Sequence, residues 1–132
     1  MTQHELINPA SLGAPNGYSH GVLAKPGRML FVAGMVGWRA DGTFVSNEFV
    51  EQYEQALANV LAVVREAGGE PSDVCRLTVY VTDKQRYLAA LKSVGAAYCK
   101  LMGKHFPAMA LVEVSALVED RALVEIEGTA VI

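Results

Sequence analysis

Residues 74–82 alternate strictly, with Cys75, Leu77, Val79 and Val81 on one side and Arg76, Thr78, Tyr80 and Thr82 on the other. A period of two marks a strand with one apolar face. The strand lies between two segments of helical period. Ahead of it, Phe49, Tyr53, Leu57, Val60, Val64 and Ala67 recur at helical spacing, with Ser46 placed to cap the start and Gly68-Gly69 to stop the helix. Behind it, Asp83 caps a second helix carrying Leu88, Leu91, Val94, Tyr98 and Leu101 on one stripe, ended by Gly103. Each apolar stripe must be buried, so the two helices are expected to lie on a sheet that contains the strand.

The other strands of that sheet are read from composition and turn residues. Residues 18–25 and 28–36 are rich in β-formers, and Pro26-Gly27 suits the centre of a type II turn, which predicts a hairpin. Asp41-Gly42 offers a second turn. Phe106-Pro107 imposes extended backbone ahead of two further strands, residues 109–115 and 122–131, joined by a polar stretch around Glu119-Asp120. The expected order is ββαβαββ in one domain over residues 1–132, an α+β class with a mixed sheet and both helices on one face. The second face, to which Met109, Leu111 and Leu123 are assigned, then stays open. Leaving it wet would forfeit roughly 1.5 to 3 kcal/mol per large side chain, so association through it is expected. If the last two strands pair, the face carrying Met109, Leu111 and Glu113 meets the one carrying Leu123, Glu125 and Glu127.

Composition excludes several classes. At 52% hydrophobic and 19% charged the chain is not disordered, and its longest uncharged apolar run, residues 29–38, is half of what a membrane-spanning helix needs. With no basic-then-apolar leader pattern, a soluble, cytoplasmic protein without membrane contact is expected. A net charge of −3 lacks the basic excess that nucleic-acid binding uses. Cys75 and Cys99, with three scattered histidines, show no zinc-ligand spacing and read as reduced thiols without chemistry. Gly34-Met35-Val36-Gly37 does not match a phosphate-cradling loop.

Several segments taken together point to a family. Asn8-Pro9, Gly17-Tyr18-Ser19-His20-Gly21, Phe31-Val32-Ala33-Gly34, Gln55-Ala56-Leu57 with Asn59-Val60, Leu77-Thr78-Val79-Tyr80-Val81, Phe106-Pro107-Ala108 and Val124-Glu125-Ile126-Glu127 resemble, in order and spacing, the RidA family, also called YjgF/YER057c/UK114. The resemblance implies a chorismate-mutase-like fold assembled as a homotrimer with ligand clefts between subunits. It also implies hydrolysis of enamine and imine intermediates to ammonia and 2-keto acids, without metal or organic cofactor. Tyr18 matches a cleft-lining residue, and Glu125 matches one linked to orienting the attacking water.

Three positions of this chain depart from the family pattern. Met109 stands where the family's carboxylate-gripping arginine follows Phe-Pro-Ala, Met35 replaces a glutamine, and Leu111 replaces a small polar residue. Arginine holds a carboxylate by paired charge-assisted bonds, and bonds to charged groups contribute about 1.5 to 3 kcal/mol. A thioether supplies none, and a carboxylate stripped of water against Met35, Met109 and Leu111 is penalised outright. The expected ligand is therefore a neutral or aromatic imine, enamine or carbonyl compound rather than a 2-imino acid, with Phe106 as an aromatic edge of the cleft. Arg28, Arg39, Lys104 and Arg121 are the cations that could stand in for the arginine. His20 shares a face with Tyr18 and is a candidate proton carrier, weighed against a surface role. His105 and His4 are weaker candidates, and Glu113 and Glu127 read as structural. Two alternatives stay open: a non-catalytic ligand binder or holdase on the same trimer, and the ribonuclease or translation-inhibitor activity of older family labels, which the acidic balance disfavours.

Overall fold

The computed structural model describes residues 3–132. The first helical repeat becomes α1 (Phe49–Glu66), with Leu57, Val60, Leu61 and Val64 fully buried. It stops as the sequence predicts: Gly68 turns at φ +91°, and Gly69 N–H donates to the Val64 carbonyl at 2.9 Å. Its start differs. The helix begins three residues after Ser46, whose Oγ accepts from the Glu48 N–H at 3.0 Å in a local turn instead of capping the helix. Anchoring falls to Gln52, which is fully buried with its amide group spent on three backbone partners. Its Nε2 donates to the carbonyls of Ser46 (2.9 Å) and Arg121 (3.0 Å), and its Oε1 accepts from the Leu123 N–H (2.8 Å).

The alternating segment is β4 (Val74–Val81). A bulge between Val74 and Arg76 places Val74 in the core and leaves Cys75 only half-buried, so Cys75 does not share the face of Leu77, Val79 and Val81. Asp83 caps the helical segment after β4, its Oδ1 accepting from the N–H groups of Gln85 and Arg86. The expected single helix is two, α2 (Lys84–Ala89) and α3 (Leu91–Met102), because the chain bends at Ala90. The bend lets Val94, Ala97, Tyr98 and Met102 pack inward and leaves Leu88 and Leu91 exposed.

The main sheet adds β3 (Met29–Met35), β5 (Ala108–Glu113) and β6 (Val124–Val131) in the order β3-β6-β4-β5. β6 runs antiparallel to both of its neighbours, and β5 runs parallel to β4. The predicted hairpin across Pro26-Gly27 does not form. Residues 18–25 yield only β2 (Gly21–Leu23), which pairs with an unforeseen strand, β1 (Glu5–Ile7). Instead, Arg28 and Ile132 exchange backbone hydrogen bonds at 2.8 Å, joining β3 to β6. His4 couples the small sheet to the large one: the Lys25 N–H donates to its Nδ1 (3.0 Å), so Nε2 carries the proton and donates to the Val131 carbonyl (2.9 Å).

Pairing also overturns the expected faces. β5 borders β4, not β6, and the register sets Met109 opposite Leu77 and Leu111 opposite Val79. Both side chains therefore point to the helix-covered face, where they pack against the core with Leu123. Glu125, opposite Tyr80, points to the open face and does not meet Met109. Phe31, 74% exposed, shares that open face with Tyr80, Glu125, Glu127 and Val112.

Candidate functional site

A cleft of about 870 Å³ opens beside β5 on the helix side of the sheet. Its floor is Val79 of β4 with Met109 and Leu111 of β5. One wall is helical: Tyr53 of α1, Tyr87 of α2, and Leu91, Val94, Tyr98 and Cys99 of α3. The other is the irregular segment from Pro15 to Ser19, with Asn8 and Leu6. Loop backbone is usually soft, but this wall is tied down. Ser19 is buried, its N–H donating to the Pro107 carbonyl (3.0 Å) and its Oγ to the Phe106 carbonyl (2.6 Å). The His20 N–H donates to Asn8 Oδ1 at 2.7 Å. Gly17, at φ +81°, makes the turn that presents Tyr18 to the cleft.

Phe106 closes one end. Its ring stacks on Tyr98 with centroids 5.4 Å apart and planes 12° from parallel, and the Tyr98 hydroxyl donates to the His105 carbonyl at 2.6 Å. The His105 ring reaches the Val74 carbonyl through Nε2 at 2.7 Å, so this histidine serves the fold. His20 packs edge-on against Tyr18 at 5.6 Å, and its Nδ1 is the one buried side-chain polar atom without a partner among the described residues.

None of the described residues lining the cleft is acidic, basic or a histidine. Its polar atoms belong to asparagines, a serine, tyrosines and one thiol. Burial pushes the Tyr53 and Tyr98 phenols well above the usual range for tyrosine, so both are neutral donors across the physiological range. Among the described residues no three His, Cys, Asp or Glu side chains gather in a way that could hold a metal ion, and no helix is long and apolar enough to cross a membrane.

Of the residues singled out in the sequence, the cleft brings together Tyr18, Phe106, Met109 and Leu111. Met35 is elsewhere, half-buried opposite Ile126 and packed on the core. Glu125 lies on the opposite sheet face, where its carboxylate covers Gly34 so closely that a Cβ there would overlap it. Beside it the Tyr80 hydroxyl donates to Glu127 Oε2 at 2.8 Å, which holds the phenol protonated and raises its pKa. Sequence reasoning missed Tyr87 and Cys99 as cleft residues and took Tyr53 and Tyr98 for core. The available signal was tyrosine, with its polar tip, at positions where the helix stripes needed only an apolar ring.

Comparison with known proteins gives a consistent result. Residues 9–132 match the family model described as Endoribonuclease L-PSP. The RutC family protein y4sK of Sinorhizobium fredii is 38% identical over 128 residues, covering 93% of this chain and 96% of that protein. The goat (Capra hircus) protein named 2-iminobutanoate/2-iminopropanoate deaminase is 33% identical, over 93% of this chain and 83% of its own. Among solved structures, YyfB of Yersinia pestis, described as a member of the conserved Rid protein family, superposes with a TM-score of 0.89 at 36% identity, covering 99% of this chain and all of that one. With the RidA-like segments, the sheet they build and these relatives in agreement, the chain belongs to the RidA (YjgF/YER057c/UK114) family.

Proposed function

We propose that this protein hydrolyses a small uncharged imine, enamine or related carbonyl-derived metabolite as a homotrimer, in the cleft beside β5. In such a reaction an enamine first tautomerises to the imine. A water oxygen then bonds to the imine carbon as one water proton passes to nitrogen, and the second proton follows as the carbon–nitrogen bond breaks, releasing ammonia or an amine and leaving a carbonyl. Relatives named 2-iminobutanoate/2-iminopropanoate deaminases support the reaction class. The single observation that shapes the substrate class is the uncharged lining: with Met109 and Leu111 as floor, a carboxylate would lose water and gain no cation. Glu125 faces away from this cleft within one chain. We therefore assign the water-orienting carboxylate to a neighbouring protomer, whose open sheet face would border the cleft once three chains close a ring.

The test is ammonia release. Supplied with 2-iminopropanoate generated in situ, the native protein should be weak or silent, while an uncharged imine of similar size should turn over. Glu125→Gln should abolish that rate and spare binding. Robust native turnover of 2-imino acids would overturn the substrate assignment. Tight binding with no rate on any imine would leave a binding protein on the same scaffold.

A further inference from the structure

Three hydroxyls that line the cleft, those of Tyr18, Tyr53 and Tyr87, make no hydrogen bond among the described residues, and of these only Tyr53's belongs to a buried side chain. Tyr53 projects from α1 and is only 4% exposed, and its hydroxyl finds no hydrogen-bond partner among the described residues. That hydroxyl is not sealed in protein either, because the only buried side-chain polar atom left unpaired among the described residues is His20 Nδ1, and Tyr53 lines the cleft. The Tyr87 phenol and the Cys99 thiol lie close enough to act on it electrostatically, and both also line the cleft. Tyr98, a helix turn after Val94 on the same wall, is different: its hydroxyl is committed to the His105 carbonyl. An O–H in an apolar setting that costs nothing to the fold when a ligand engages it is the usual way a mostly hydrophobic pocket fixes orientation.

We propose that Tyr53 is the orienting donor of this cleft, and that its ligand is an uncharged molecule with a flat apolar body and one hydrogen-bond acceptor, a carbonyl oxygen or imine nitrogen, aimed at the Tyr53 hydroxyl. The proposal deepens the functional reading of the cleft as a site for neutral imines and rests on it. It commits to two features: no formal charge, because no lining residue of the described chain carries one, and an acceptor at the Tyr53 end. The flat body lies over Met109 and Leu111, where a thioether and a branched aliphatic chain adapt to a ring.

Cys99 supplies the readout. It is exposed, lines the cleft and neighbours Tyr53, whereas Cys75 is half-buried, donates to the Asp73 carbonyl at 3.6 Å and serves as internal control. The probes are acetophenone and α-methylstyrene, which share a shape but differ by an oxygen against a methylene. Protection of Cys99 from alkylation, followed by mass spectrometry on the assembled native protein, gives an apparent affinity for each. Native protein should bind acetophenone more tightly. Tyr53→Phe should weaken acetophenone about three- to tenfold, the usual range for one neutral hydrogen bond, and leave α-methylstyrene unchanged or tighter. Tyr98→Phe should alter both probes alike. The proposal is overturned if Tyr53→Phe costs both probes equally, costs neither, or if acetophenone fails to protect Cys99 in the native protein. Those outcomes are read without turnover, so they are distinguishable from failure of the hydrolytic reading, which the ammonia assay decides.

Discussion

The two faces of the central sheet solve opposite problems. The helix-covered face continues into a cleft that is apolar, rimmed with tyrosine and free of charge among the described residues. The open face mixes a bare Phe31 with the Glu125 and Glu127 carboxylates and the Tyr80 phenol. In water an ion on the open face costs nothing and a phenylalanine is a liability, while in the cleft the penalties are reversed. On the proposed reading, the face that holds the small molecule and the face that meets other subunits are the two sides of one four-stranded sheet, so a ligand site using Glu125 needs more than one chain.

The largest effect should come from breaking the open face. Phe31→Asp sets a charge where an apolar contact is proposed, so light scattering after size exclusion should change from trimer to monomer. A native protein that is already monomeric at micromolar concentration would sink the subunit half of the comparison. Next, Met109→Arg imports a cation into the uncharged face. Ammonia release from 2-iminopropanoate should rise roughly tenfold to a hundredfold, the value of a charge-assisted bond. No gain in a folded variant would mean that this position does not address the ligand.

A smaller effect tests burial on the helix side. Folded Tyr53 and Tyr98 hold their protons more tightly than the unfolded chain, whose phenols titrate near pH 10. Their stabilisation is complete below that pH and is lost as pH rises toward their folded values. The urea midpoint should therefore fall between about pH 9 and about pH 11, and Tyr98→Phe should flatten that decline. The smallest effect belongs to the open face: Glu127→Gln should lower the Tyr80 titration toward that of an ordinary tyrosine, followed by tyrosinate absorbance.

How much of the fold was legible in the sequence depends on what each pattern can encode. The α1 stripe and the β4 alternation were readable because burial imposes a period, and the Asp83 cap and Gly68 stop because each needs a particular residue chemistry. β1 was not, since its three residues are all exposed and carry no alternation. The failed hairpin shows the same limit. Pro26-Gly27 encodes a turn, but whether β3 continues onto β2 or β6 depends on distant partners such as Ile132. Period two predicted which residues of β5 share a face. It could not say which face was covered, because the parity is set by the parallel register of Met109 on Leu77. For the site, Tyr18, Phe106, Met109 and Leu111 were found together because the family resemblance carries them. Tyr53 and Tyr98 read as core because a stripe facing a cavity has the same spacing as one facing a core.

The central claim is that the cleft recognises a neutral ligand. Benzoate and acetophenone differ little in shape and by one full charge, so their competition for the cleft of the native protein, read by Cys99 protection, tests it most directly. Acetophenone should bind and benzoate should compete at least tenfold more weakly, the low end of what an unpaired carboxylate costs. Benzoate binding as tightly as acetophenone, with its carboxylate held by a cation from any subunit, would contradict it.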